Sequence, residues 1–502
     1  MKRLAIRFLL LFFFIGTAAI TLSAQLRTLP ESYVILARSS LMSQAGWKSV
    51  VDTLLSAHPQ AHLLYFKSHP DNCKDTLQLL RPRYLAVVED PRNLDKHYTV
   101  QLNTLCRNLD ADPYKDCIWG VITGYSPRDA IRMIQDARTP FQIKSAVSTI
   151  SELKSGLWFN RMVCIEDQNR PFAVDKTPDS LRTYKIPDAI MPRQLKPYPN
   201  LLGSFHQAMR TVQPDLVVTA SHATEENLEM PGSLGNIRAV RGMLYTEFPT
   251  GAVPLLNPEA PPHRRVYLPI GNCLIANANK DLNSMAVAWL SSGKASCLIG
   301  YVVETWYGRA GWGGLKYFLH NAGRLNCQQA FFLNDLELIR YNQELLPQAL
   351  NKPYDPSLTL DQLQHQLAQG QPLTKDALGM YYDRDVLMYY GDPAWQVELP
   401  TPKEAPADYT VTYNYTPEAL EIILRTHENF NPCNYKGNGW KSEHVADLPL
   451  AFYFPQRIDA PLLQQKAKHK GNYILTEEAL LLYNPTLQPN RTYRWHIHSV
   501  RK

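Results

Sequence analysis

Short apolar runs recur along the first three hundred positions, separated by longer segments in which apolar and polar residues alternate with helical spacing. The runs 33–36, 61–66, 84–88, 161–165, 215–220, 264–270 and 295–300 are rich in Val, Ile, Leu and Tyr, and several are apolar throughout. Successive side chains of a strand point to opposite faces, so an unbroken apolar run predicts a strand buried on both sides, as in a parallel sheet. Between these runs, 44–57, 93–109, 201–212 and 282–291 read as helices. Another helix opens at Ser126-Pro127-Arg128-Asp129, with Ser as N-cap, Pro at the first helical position and an acid in the first turn. Alternation of strands with helices predicts an α/β sheet with helices on both faces.

Proline marks the boundaries. Pro171 to Pro199 reads as a long connection, and so does the stretch holding Pro249, Pro254, Pro258, Pro261 and Pro262. Leu399 to Pro406 (LPTPKEAP) reads as a linker. After it the pattern changes: 409–415 and 491–500 alternate and 449–454 is strand-like, within about 100 residues rich in turn clusters, which predicts an immunoglobulin-like β-sandwich. The expected division is a signal peptide over 1–24, an N-terminal α/β subdomain over 25–155, a catalytic α/β subdomain over 156–398 and the sandwich over 399–502.

The first 24 residues carry Lys2, Arg3 and Arg7, then an apolar stretch from Phe8 to Ile20, then Leu22-Ser23-Ala24 before Gln25. That order predicts a cleaved export signal and a protein that is periplasmic, cell-surface or extracellular, with no stable membrane anchor once it is removed. Net charge is +6 over 502 residues, and +3 of it lies in the leader. So small an excess gives no reason to expect nucleic acid or an anionic membrane as partner. A content of 45% hydrophobic and 20% charged residues excludes disorder as the main state.

The eight cysteines are widely and irregularly spaced, which is not the framework of a small disulfide-rich domain. There is no C-x-x-C or H-E-x-x-H, and His222-Ala-Thr-Glu225-Glu226 lacks a second His, so no metal site is expected. No cofactor is expected, and structural calcium is left open. Two apolar runs end in chemically capable residues: 215–220 leads into Ser221-His222, and 264–270 into Gly271-Asn272-Cys273. Open α/β sheets bind ligands at the carboxyl ends of their strands, and successive parallel strands are often neighbours. A thiol beside an imidazole can pass to the nucleophilic thiolate. Gly271 suits a tight turn before the Cys, and backbone N–H groups after it suit an oxyanion. The rival thiol, Cys297, lies within Ala-Ser-Cys-Leu-Ile-Gly and reads as core.

These segments resemble the gingipain family of cysteine peptidases, in the caspase-like clan. The resemblance rests on VVTASHAT and then LPIGNCLIANANKDLNSMAVAWLSSGKASCLIGYVVETWYG. It is supported upstream by DPYKDCIWGVITGYSPRDAIRMI and downstream by Tyr390-Gly-Asp-Pro-Ala394. His222 precedes Cys273 by 51 residues, close to the caspase spacing of about 50. The resemblance implies a caspase/gingipain-like parallel sheet sandwiched by helices in two subdomains, followed by the immunoglobulin-like domain. It implies Cys273 as nucleophile, His222 as the base or acid serving the leaving amine, and an oxyanion hole from the N–H groups of Cys273 and Ala223. Asp167, with Glu166 behind it, is the candidate acid orienting the His, and Trp306 the candidate wall of a substrate pocket. The partner implied is a protein or peptide substrate. The alternative is a catalytically silent homologue acting as a surface binding or scaffold protein. The chain departs from the family at Ala223, where Gly is usual and a positive φ would strain Ala. It also departs at Asn272, where a small residue is usual, and at Trp119-Gly120-Val121, where family members carry Gly-Arg.

Overall fold

Twelve strands hydrogen-bond into one sheet in the computed structural model, which describes residues 25–165, 171–189, 198–257, 259, 263–278, 281–368, 372–435, 448–464 and 472–500. Residues 1–24, the segment expected to be an export signal, lie outside the described residues. In chain order the strands are β1 (Tyr33–Arg38), β2 (His62–Phe66), β3 (Tyr84–Val88), β4 (Ile118–Ile122), β5 (Ser145–Ser148), β6 (Arg161–Ile165), β7 (Phe172–Thr177), β8 (Ser180–Lys185), β9 (Leu216–Val218), β10 (Arg265–Leu268), β11 (Ala295–Tyr301) and β12 (Leu387–Tyr390). Their order across the sheet is β2-β1-β3-β4-β12-β11-β10-β9-β5-β6-β7-β8. The central strands β4, β10 and β11 are buried along their whole length, and β3 at all but its first residue, Tyr84, as their unbroken apolar runs require.

β12 joins two halves. It runs parallel to β4 and antiparallel to β11. The strands β1–β4 are mutually parallel, as are β11, β10, β9, β5 and β6. The carboxyl ends of the two sets therefore face opposite edges. After β12 the chain turns at Gly391, φ +127°, and crosses Gly120 of β4 so closely that a Cβ there would meet the Gly391 carbonyl oxygen at 2.2 Å. Close approach of the backbone explains the glycine within Trp119-Gly120-Val121.

The helices flank this sheet. Pro127–Ala137 begins where Ser126 predicts, with the Ser126 N–H and Oγ both donating to Asp129 Oδ2 at 2.9 Å. Leu201–Val212 matches the periodicity, whereas Lys96–Cys106 and Met285–Leu290 are shorter than the patterns over 93–109 and 282–291.

The two proline-rich stretches are not plain connections. Residues 172–185 form the hairpin β7–β8, closed by Pro178-Asp179, and it extends the sheet edge antiparallel to β6. Pro171 and Pro178 flank the strand rather than interrupt its ladder, so a high proline content is compatible with pairing. Likewise Gly251–Pro254 is the fourth strand of a small antiparallel sheet with Asn227–Glu229, Asn236–Val240 and Met243–Phe248. Its central turn has Arg241 at φ 47° and Gly242 at φ 76°, the two positive values a tight hairpin uses.

The described strands between 409 and 499 form two antiparallel sheets. One has the order Tyr409–Tyr415, Leu420–Thr426, Thr492–Ser499, Pro461–Gln464; the other Leu450–Tyr453, Ala479–Leu482, Tyr473–Leu475. Leu420, Ile422, Trp495 and Ile497 share one core with Leu450, Phe452 and Leu480, which makes the unit a sandwich. Among the described residues its order differs from that of an immunoglobulin constant domain. There the fifth strand lies beside the second; here Thr492–Ser499, the last, takes that place. The outer face of the three-stranded sheet, through Ala451, Tyr453 and Leu481, packs into the main α/β core. The first described residues also attach here: the Leu26 and Leu29 N–H groups donate to Pro417 O at 2.7 Å and Arg457 O at 2.9 Å.

Candidate functional site

β9 and β10 are neighbours, parallel and in register from Leu216–Val266 to Val218–Leu268. Thr219 N–H extends the ladder to Leu268 O at 3.2 Å. Both strands are short and buried, and both end at the same edge. Pro269 stops β10 because it lacks an N–H for the ladder, and the chain turns through Ile270-Gly271. Ser221-His222 and Asn272-Cys273 thus leave side by side.

Gly271 is needed here for space rather than for its φ, which is not in the left-handed region. A Cβ at Gly271 would lie 2.7 Å from the Ala220 Cβ. Ala223 is likewise outside the left-handed region, so alanine in place of glycine carries no backbone strain. The backbone strain sits instead at Leu274, directly after the Cys, at φ 58°.

The sulfur of Cys273 is half-buried and accepts the Thr305 N–H at 3.2 Å. Leu274 N–H donates to Val303 O at 2.9 Å and Ala276 N–H to Tyr301 O at 3.0 Å, docking the post-cysteine loop on the end of β11. Trp306 is half-buried beside it, with ring centroids 6.0 Å from Tyr307 and 5.9 Å from Tyr382. The Tyr382 hydroxyl donates to Glu304 O at 2.8 Å. Burial holds its phenol well above the usual range, helped by Asp383, Glu304 and a small contribution from Cys273 itself, so it stays a donor.

His222 is exposed, and its backbone is pinned: Glu229 N–H donates to His222 O at 3.0 Å, and Thr224 N–H to Asn227 O at 2.9 Å. That pattern turns the Ala223 N–H away from the facing strand. Among the described residues neither the Ala223 nor the Cys273 N–H makes a hydrogen bond, which leaves both free for an incoming oxygen. The imidazole and the sulfur are not hydrogen-bonded to each other; catalytic bonds of this kind commonly tighten only around substrate. Asp167 and Glu166 lie outside the described residues. β6 ends at Ile165 on the edge where β9 ends, two strands away.

Cys297 is buried in β11 with Gln328 Nε2 at 3.9 Å, a core position. No group of three His, Cys, Asp or Glu side chains that could hold a metal ion occurs among the described residues, nor does any helix long and apolar enough to cross a membrane. Sequence reasoning missed Thr305, Tyr382 and the contacts of Asn272. The first donates through its backbone, which no side-chain pattern reveals, and Tyr382 arrives from more than a hundred residues away.

No protein-family model matches this chain, and no curated protein matches it. Among solved structures it is similar to the Arg-specific cysteine proteinase gingipain R, at 9% identity and TM-score 0.43, covering 91% of this chain and 92% of that one. It is also similar to the complex of the pro- and mature domains of Porphyromonas gingivalis RgpB, at 8% identity and TM-score 0.44, covering 93% and 100%. A third, described only as a protease, is 9% identical at TM-score 0.42, covering 80% and 86%.

Proposed function

We propose that this chain is an exported cysteine endopeptidase. The observation that carries the reading is the delivery of His222 and Cys273 to one sheet edge by adjacent parallel strands, with a backbone N–H aimed at the sulfur. That N–H, from Thr305, holds the sulfur at a fixed position on the end of β11. The Cys273 thiolate attacks the scissile carbonyl carbon, and the carbonyl oxygen gathers negative charge within reach of the Ala223 and Cys273 N–H groups. His222 donates a proton to the leaving nitrogen, the C–N bond breaks, and a thioester remains. His222 then takes a proton from water, whose oxygen attacks the thioester carbon; the C–S bond breaks, the acid leaves, the sulfur departs as thiolate and the proton stays on His222, as at the start. Trp306 and Tyr382 wall the substrate side of the sulfur, and Asp167 orients the imidazole. Residues 25–155 support the catalytic part, 156–398, and the sandwich stabilises the whole through its docked sheet.

The test is hydrolysis of a mixed peptide library by the mature protein. Cys273→Ala should abolish cleavage with the melting temperature nearly unchanged, while Cys297→Ala should keep cleavage and lose about 1–2 kcal/mol of stability. Equal cleavage by Cys273→Ala and wild type would exclude the assignment. A well-folded wild type that cleaves nothing would favour the silent binding homologue.

A further inference from the structure

The residue before the nucleophile is the most heavily bonded polar side chain at the site, and no part of the mechanism above uses it. Asn272 is completely buried. Its Oδ1 accepts the Thr219 hydroxyl at 2.6 Å. Its Nδ2 donates to Ser221 O at 2.8 Å and Ser221 Oγ at 3.2 Å. The Thr219 proton being committed to Asn272, the Tyr267 hydroxyl is the donor in its 2.9 Å contact with Thr219 Oγ1. Ser221 Oγ donates in turn to Glu229 O at 2.5 Å, and Glu229 N–H donates to His222 O. One directed chain therefore runs Tyr267, Thr219, Asn272, Ser221, Glu229, with every proton assigned and the amide orientation fixed.

We propose that Asn272 is a positioning residue that locks the loop bearing His222 to the loop bearing Cys273. The proposal rests on the Cys–His reading above. The ladder between β9 and β10 ends at Thr219, and among the described residues the next backbone bond between the two segments, Met285 N–H to Glu225 O at 2.6 Å, comes only after both His222 and Cys273. Asn272 takes over there, joining the residue before the nucleophile to the residue before the imidazole. A buried amide that satisfies both N–H donors on one neighbouring loop fixes that loop's distance to within a few tenths of an ångström. A small residue at 272 would leave Ser221 O without this donor and the loops free to part. The departure at 272 is thus a compensating tie rather than a loss of function.

The test needs no known substrate. Cys433 is exposed and serves as an internal reference thiol. The ratio of iodoacetamide alkylation at Cys273 to that at Cys433 is read by peptide mapping on the mature chain, across pH. Among the described residues the Tyr382 phenol interacts electrostatically with Cys273, and Asp383 and Glu304 face that same phenol. In wild type the ratio should be about tenfold or more, because an imidazole-paired thiol is the more reactive nucleophile. Asn272→Ala removes all three bonds of that amide and leaves the Asn277 and Met285 contacts to Glu225 in place; Asn272→Asp keeps the volume and the acceptor for Thr219 but sets oxygen against Ser221 O. Both should cut the ratio by about tenfold, since a misplacement near 1 Å is enough to weaken such a pair. Thr219→Val, which spares the bond to Ser221, should stay within about twofold of wild type. An unchanged ratio in folded Asn272 variants, with collapse in His222→Ala, would overturn the positioning role and leave the Cys–His reading standing. An equal fall in Thr219→Val would overturn it as a general packing effect. An unchanged ratio in His222→Ala would overturn both readings.

Discussion

Gly271→Ala probes the closeness of the two strand ends. The new methyl carbon would stand 2.7 Å from the Ala220 Cβ and 3.4 Å from Trp312 Nε1. Apolar carbons pack best at about 3.5–4.0 Å, so the two loops must separate by about 1 Å. Overpacking of this kind costs about 1–3 kcal/mol. Gly271 is not at positive φ, so the whole cost comes from the contact. Ala220 precedes Ser221-His222 and Gly271 precedes Asn272-Cys273, so the same separation widens the gap between imidazole and sulfur. A displacement near 1 Å can lower turnover by about 100-fold. The assay is thermal unfolding together with the Cys273 alkylation rate for Gly271→Ala, Ala220→Gly and the double variant. Removing the Ala220 methyl makes room, so the double variant should recover most of both losses, a favourable coupling of about 1–2 kcal/mol. A Gly271→Ala variant as stable and reactive as wild type would refute the geometry, and so would a loss that Ala220→Gly does not relieve.

Two further outcomes concern stability. Asp385 is fully buried, with Arg107 Nε and Nη2 at 2.9 and 2.7 Å and Arg384 Nε at 2.8 Å. Burial opposes its ionisation, but Arg107 and Arg384 outweigh that and hold the carboxyl below the usual range. A depressed folded pKa gives stability that is present above the unfolded value of about 3.9 and is lost as pH falls through the folded one. Asp385→Asn should therefore cost about 3–5 kcal/mol at neutral pH and flatten the acid limb of an unfolding curve. Arg83 is buried between the first half of the sheet and the sandwich, donating to Phe454 O at 2.6 Å and Pro455 O at 2.7 Å, with Glu478 at 3.2 Å. Arg83→Met should cost a similar amount, about 3–5 kcal/mol, and should expose the linker over 399–406 to limited proteolysis before the rest of the chain.

The strands were legible where burial on both faces forces unbroken apolar runs; β3 and β6 begin and end at the residues the pattern predicts. The helix after Ser126 was legible because its cap is local. What stayed hidden depends on residues distant in sequence. β12 reverses the sense of the sheet between β4 and β11, and nothing near Leu387 signals that. The hairpin β7–β8 was concealed by prolines that turn out to flank its strand. The strand ends bearing His222 and Cys273 could be picked out from residue type, but the reasons for Gly271 and Asn272 could not. Gly271 answers to a methyl group 51 residues earlier, and Asn272 to Thr219 and Ser221 on that same neighbouring segment.

The central claim is an activated thiolate at Cys273 served by His222. Its most direct test is labelling of the reduced, folded mature protein with a panel of electrophilic peptide ketones, followed by peptide mapping. The account predicts an adduct at Cys273, with Cys433 and Cys297 unmodified, and its loss in His222→Ala. Absence of any Cys273 adduct across the panel, or labelling that survives His222→Ala unchanged, would contradict it.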